Sequence, residues 1–286
     1  MTKTIDTLIE DIYSVLDDGI DVLENNRVAF ARTGEGIRLS ILNMLLPELR
    51  NRSLKLRMSN LGKPLRQLWY QLKGYEGEPL PPHVRLKFLI GNIVEEVVVL
   101  LAALAGHEVK GQQDVLEITG VQGHRDVIID GYTVDVKSTS PFGFTKFEDG
   151  SLVFDDPFGY IPQLAAYTRA DKTVKQDAAY NLAVHKVLGT LALYRSEEDE
   201  WPDIPEKITQ IRAALEIDTP PDRCYEPVPD GKSGNMKLGV GCSYCEFKRE
   251  CWKDSNAGKG LRTFIYSVGP RFLTNVERLP NVYEAK

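Results

Sequence analysis

Asp126, Asp135 and Lys137 are the residues of this sequence best suited to carry out a reaction. They lie in Gly123-His124-Arg125-Asp126-Val127-Ile128-Ile129-Asp130-Gly131-Tyr132-Thr133-Val134-Asp135-Val136-Lys137. Two apolar runs flank Asp130-Gly131 there, and an Asp-Gly pair is a strong signal for a two-residue hairpin loop. That loop sets Ile129 opposite Tyr132, Val127 opposite Val134 and Asp126 opposite Asp135. Side chains alternate along a strand, so Val127, Ile129, Tyr132, Val134 and Val136 share a core face. His124, Asp126, Ile128, Thr133, Asp135 and Lys137 share the other. Facing carboxylates roughly 5 Å apart destabilise a sheet, and a cation between them reverses the sign. Hard oxygen ligands at this spacing suit Mg²⁺ or Mn²⁺. Lys137 is placed to reach whatever such a metal holds. An isolated Asp-x-Lys is more often a solvated surface pair, so the elements around it decide.

The first of these elements is an apolar stretch from Val84 to Leu104, which predicts a long, largely buried helix with Phe88, Leu89, Ile93, Val94, Val97, Val98 and Leu101 inside. Glu95 and Glu96 interrupt it, and a buried charge needs a partner. Glu95, one turn after the small residue Gly91, is the expected further metal ligand. A strand over Val115–Ile118 leads into the hairpin. Ser138 to Phe144 reads as a turn, and Lys146 to Asp156 as an irregular, mobile loop at the mouth of the site. A helix from Asp156 to about Arg169 carries Gln163 and Tyr167 on one face. They could order a water or a phosphate. Strands are expected over Ala178–Lys186 and Thr190–Tyr194, and a helix over Pro205–Ile217. Ahead of all this lie an acidic amphipathic helix, about Thr4–Leu23, and a second helix, about Glu35–Arg50, with no chemistry of their own.

All four cysteines fall late, as Cys224, Cys242, Cys245 and Cys251. Such a constellation in a chain read as cytoplasmic points first to metal ligation, by Zn²⁺ or an iron–sulfur cluster, and only third to disulfides. The 286 residues, 42% hydrophobic and 27% charged, describe a soluble globular protein. No apolar run approaches the roughly 18 residues of a membrane span. Net charge is −6, yet Arg50 to Ile90 holds nine basic residues against two acids. Within it, Lys63, Arg66 and Tyr70 form a candidate contact for nucleic acid, since arginine among aromatics can hold phosphate and stack on bases.

In order along the chain, Glu95, Asp126, Asp135-Val136-Lys137, Gln163-x-x-x-Tyr167 and Cys242-x2-Cys245-x5-Cys251 resemble the PD-(D/E)xK nuclease superfamily, in its RecB-like branch that includes AddB and the CRISPR-adaptation nucleases. The resemblance covers about Ser59 to Trp252. It implies an α/β fold of restriction-endonuclease type, a mixed central sheet flanked by helices. The expected partition is a helical N-terminal region (1–57), a nuclease core (58–217) and a cysteine-stapled C-terminal lobe (218–286). It also implies a DNA exonuclease. Glu95, Asp126, Asp135 and the Val136 carbonyl would hold Mg²⁺ or Mn²⁺, Lys137 would act on the attacking water, and Gln163 and Tyr167 would position the site. The four cysteines would hold an iron–sulfur cluster, 4Fe–4S favoured, or Zn²⁺. Relatives place their first cysteine ahead of the core, where this chain reads Gly62-Lys63-Pro64-Leu65-Arg66, so Cys224 would complete the set. The partner would be single-stranded or end-bearing duplex DNA. Readings from other classes are a binding module with a vestigial site and a structure- or site-specific endonuclease.

Overall fold

Asp130 and Gly131 both take positive φ, 50° and 84°. That left-handed pair lets a two-residue loop match the right-handed twist of the strands it joins. The register follows as expected: Val127 pairs with Val134, Ile128 with Thr133 and Ile129 with Tyr132. These coordinates are a computed structural model that describes residues 3–20, 26–46 and 54–285.

Along the chain come α1 (Leu8–Asp18), α2 (Arg27–Leu45), α3 (Leu65–Leu72) and α4 (Pro82–Leu104). Strands β1 (Val109–Lys110), β2 (Val115–Ile118), β3 (Val121–His124), β4 (Val127–Ile129) and β5 (Tyr132–Thr139) follow. Then come α5 (Pro141–Glu148), α6 (Tyr160–Ala170), β6 (Ala178–His185), β7 (Leu191–Glu197) and α7 (Ile204–Leu215). The chain forms two units. One comprises Met1–Gly62 with Pro81–Ile208, and the other Lys63–Leu80 with Thr209–Lys286. Segment 63–80, and α3 with it, therefore belongs to the unit that holds the cysteines.

The first unit is α/β, with a central mixed sheet flanked by helices. Its strand order is β1-β4-β5-β6-β7, antiparallel except for the parallel pair β5 and β6. One face carries Val127, Ile129, Val134, Val136, Tyr180 and Leu182 against Ile5, Leu8 and Ile12 near the N-terminus and Val98, Val99 and Ala102 of α4. The first helix thus contributes to the principal core. A parallel pair needs a crossover of a dozen residues or more. Here α5 and α6 supply it and cover the other face, where Phe144, Phe147, Leu152 and Ile161 meet Ala183, Ala192 and Tyr194.

Several expectations are corrected. His124 belongs to β3, which pairs with β2 in a separate two-stranded ladder, so it does not extend the hairpin face of Asp126. The 138–144 stretch is the end of β5 and the start of α5: Ser140 accepts a hydrogen bond from the Gly143 N–H, and Pro141 occupies the first turn, where its missing N–H costs nothing. Residues 146–156 are mostly helical too, with a 3-10 turn over Ser151–Phe154. Burial of α4 is confined to its second half, and Phe88 is 57% exposed. Helix α1 stops at Asp18, with Gly19 left-handed at its end, and α2 begins at Arg27, well before Glu35. The remaining ends expected for these two helices, at Leu23 and Arg50, lie outside the described residues, as does Arg52 of the basic stretch.

The second unit contains a sheet that hydrophobic periodicity did not reveal. Strands β8 (Val228–Pro229), β9 (Met236–Lys237), β10 (Arg262–Tyr266), β11 (Gly269–Asn275) and β12 (Tyr283–Ala285) are ordered β12-β10-β11-β9-β8, all antiparallel. Leu238, Trp252 and Leu261 form its small core beside Cys242, Cys251 and Phe272.

Candidate functional site

Strand β5 presents Asp135 and Lys137 on the face covered by the crossover helices, and both side chains are largely inside. Lys137 Nζ lies 2.5 Å from Asp135 Oδ2. The same oxygen accepts a hydrogen bond from Asn181 Nδ2 at 3.1 Å, across the parallel register of β5 and β6. Asp135 Oδ1 is buried and accepts no hydrogen bond from the protein. Asp126, just before β4, accepts the Val136 N–H on Oδ2 at 3.1 Å. The peptide expected to offer its carbonyl thus touches the first carboxylate through its amide.

The charges interact strongly. Burial, then repulsion from Asp135 and Glu95, raises the Asp126 pKa well above the usual carboxylate range. Burial and the Asp135 charge push Glu95 from 4.5 to about 7, with Lys137 and a hydrogen bond from Gln113 opposing. Burial would lower the Lys137 pKa, but Asp135 and Asp126 outweigh it and hold the ammonium charged. Lys137 Nζ also lies 5.1 Å from the centre of the Tyr160 ring. Tyr167 is buried, hydrogen-bonded to Gln163, and its pKa is raised by burial and by Asp126 and Asp135. The six residues expected to be catalytic are thereby brought together.

Glu95 and Glu96 divide their roles as adjacent helical positions must. Glu95 bonds Gln113 Nε2 at 3.0 Å on the side of the acidic group. Glu96 bonds Gln112 Nε2 at 3.0 Å and faces α2. A Cβ added to Gly36 would come 2.2 Å from Glu96 Cδ, so the small residue that permits close packing is Gly36, while Gly91 has open space around it.

Sequence reasoning missed four contributors. Asn181 was marked by its polarity within the apolar run of β6, and Tyr160 by its place in the first turn of α6. Gln113 carried no local signal. Arg125, 1% exposed, donates to Asp171 at 2.7 Å and Asp114 at 3.1 Å, anchoring the chain one residue before Asp126.

Asp126 and Glu95, both raised by burial and the Asp135 charge, beside a buried unpartnered Asp135 oxygen, fit a hard divalent cation in donor chemistry. As the side chains stand, no three His, Cys, Asp or Glu among the described residues converge on a single point. Lys137 stands on the Asp135 oxygen instead.

In the second unit Cys224, Cys242, Cys245 and Cys251 line one cavity, and none is paired in a disulfide. Each sulfur meets an N–H. The backbone N–H groups of Arg66 and Gln67, left without intrahelical partners in the first turn of α3, reach Cys224. Trp252 bonds Cys242, the Phe247 N–H bonds Cys245, and Arg66 Nε lies 3.1 Å from Cys251 Sγ. Burial, then mutual repulsion with the other thiols, pushes Cys242 and Cys245 up to about 11. Four sulfurs lining one cavity are soft donors that suit a metal group in chemistry, though no three of them converge on a single point as the side chains stand.

These contacts correct the expected nucleic-acid surface. Tyr70 is 3% exposed, stacked 5.7 Å from Phe247, and cannot offer its face to a base. Arg66 also donates to the Pro221 carbonyl and to Tyr70 Oη. Lys63 bonds Gln71 Oε1 at 3.1 Å. No family model matches the chain, and no curated protein or solved structure matches it.

Proposed function

We propose that the chain is a metal-dependent deoxyribonuclease of PD-(D/E)xK type, on a restriction-endonuclease-like form of its α/β core, which hydrolyses phosphodiester bonds from DNA ends. The observation that carries this reading is the group Asp126, Asp135 and Glu95 beside the charged Lys137, with Asp135 Oδ1 lacking any protein donor. The three carboxylates, with the Val136 carbonyl, would hold one or two Mg²⁺ or Mn²⁺ ions. When bound, these would supply Lewis acidity toward the phosphate and acidify a water.

The chain's own residues do the rest. Asn181 fixes the orientation of Asp135. Lys137, steadied by the Tyr160 ring and Asp135, places its ammonium where charge develops on the phosphate oxygens in the transition state. Gln163 and Tyr167, bonded to each other, hold the wall beside Asp126. As the water oxygen bonds to phosphorus it releases a proton to solvent, the scissile P–O bond breaks, and the leaving oxygen takes up a proton from solvent. The cysteines, each with an N–H donor, would hold an iron–sulfur cluster or Zn²⁺ and tie the start of α3 to the 224–252 segment.

Protein purified without oxygen is to be analysed for iron, sulfide and zinc, then incubated with end-labelled linear and closed circular DNA in Mg²⁺ or Mn²⁺. Degradation confined to DNA with ends supports the exonuclease, and nicking of circles points to an endonuclease. Asp135→Asn should reduce cleavage by at least about 10³-fold, because several kcal/mol of charge stabilisation depend on it. Cleavage at wild-type rates by that variant would sink the assignment.

A further inference from the structure

Three rings run in sequence from the first unit's core to its surface beside Lys137. Buried Phe147 lies 5.8 Å from Tyr160 at an interplanar angle of 34°, and Tyr160 lies 5.7 Å from Phe158 at 32°. Phe158 is 49% exposed and ends the row. The middle ring carries Lys137 Nζ 5.1 Å from its centre. The row is rigidly founded. Tyr160 begins α6, and Asp156 accepts the N–H groups of Tyr160 and Ile161 at 2.9 and 3.0 Å. Gly159, at φ 72°, packs backbone to backbone against Gly62, where an added Cβ would come within 2.2 Å of the Gly159 carbonyl oxygen. Nearby acids are occupied, Asp156 by those amides and Asp155 by Lys146 at 2.5 Å.

An isolated exposed phenylalanine needs no explanation. This one is the open end of a row of tilted rings whose middle member lies beside Lys137, the cation assigned above to the phosphate. Phosphate and base are joined in every nucleotide, and a base that is not paired presents a free π-face to such a platform.

We propose that Phe158 and Tyr160 form a stacking subsite for an unpaired base next to the phosphate held at Lys137, so that the site selects a single-stranded or frayed terminus over intact duplex. This rests on the nuclease reading for the identity of the ligand, and its test is made separable by measuring binding without catalysis. The probe is a short single-stranded DNA carrying 2-aminopurine, whose fluorescence falls on stacking, titrated with wild-type protein in EDTA. The variants are Phe158→Ala, Phe158→Trp and, as a control off the row, Phe154→Ala.

Wild type should bind and quench the probe. Phe158→Ala should bind at least about fivefold more weakly, the low end of base–aromatic stacking, and lose its preference for single strands over blunt duplex. Phe158→Trp should keep both, and Phe154→Ala should stay within about twofold of wild type in affinity. Melting curves identify any variant that has lost its fold, and Phe158→Trp tests the ring independently of such loss. Phe158→Ala indistinguishable from wild type in affinity and quench would overturn the subsite, as would a wild type that leaves the probe unquenched. Wild type that quenches the probe yet cuts no DNA in Mg²⁺ or Mn²⁺ would overturn the nuclease reading alone.

Discussion

Asp135 divides its two oxygens between different tasks. One is shared by Lys137 and Asn181, and the other is left without a protein donor. Outer partners of this kind orient a ligand and typically change metal affinity about 10- to 100-fold. On the proposed nuclease reading, Asn181→Ala should therefore raise the Mg²⁺ needed for half-maximal cleavage by about that factor, with much of the rate recovered at saturating Mg²⁺. A metal titration of activity checks it, and an unchanged midpoint would remove Asn181 from the site. Protonation is the second test at this scale. Asp126 and Glu95 both titrate above their ordinary values in the folded chain, Glu95 at about 7 against 4.5. Between those pH values the folded chain holds more protons than the unfolded one. The Glu95 contribution to stability is thus fully present below about 4.5 and lost as pH rises toward 7, at up to about 1.4 kcal/mol per pH unit. Denaturant titrations in EDTA should show the wild type losing stability over this window, and Glu95→Gln should flatten the slope.

At the scale of elements, the hairpin was legible because its code is local. Asp-Gly demands left-handed backbone, and alternation then assigns the faces. Where β4 begins was less legible, since Arg125 marks the break only through partners far along the chain, Asp114 and Asp171. Its guanidinium is buried between them, and breaking such a pairing costs about 3–5 kcal/mol. Arg125→Ala should cost about that much in urea unfolding, and a loss under about 1 kcal/mol would show the anchor to be dispensable. On the opposite face, Ile129→Ala should cost about 2–5 kcal/mol, as a fully buried large-to-small change does. Apolar content alone misjudged α4, because hydrophobic residues along a helix do not tell how much of its length the sheet covers.

At the scale of the molecule, the second unit gathers its four thiols around one cavity. The N–H groups at the start of α3 meet Cys224, although the chain between Gly62 and Arg66 contains no cysteine. Metal loading should release protons from Cys242 and Cys245, which are thiols at neutral pH when their pKa stands near 11. On the proposed reading, removal of the metal group by chelator or oxidation should lower the melting temperature and make all four thiols titratable by a thiol reagent after denaturation. Cys251→Ser protein that retains full iron or zinc content would exclude that residue from the ligand set. Among the described residues no helix is long and apolar enough to cross a membrane.

The sequence by itself determined the hairpin, its two faces and the set of charged residues that gather there, because turn geometry and strand alternation act over a few residues. It determined equally that the four cysteines form one constellation. Tertiary structure alone decided which groups hold those residues in place. Asn181 reaches Asp135 through strand pairing, Tyr160 reaches Lys137 through the helical crossover, and Arg66 reaches Cys251 and the Pro221 carbonyl. Each of these contacts joins positions far apart in the chain, and only the packing of helices and strands brings them within a few ångströms.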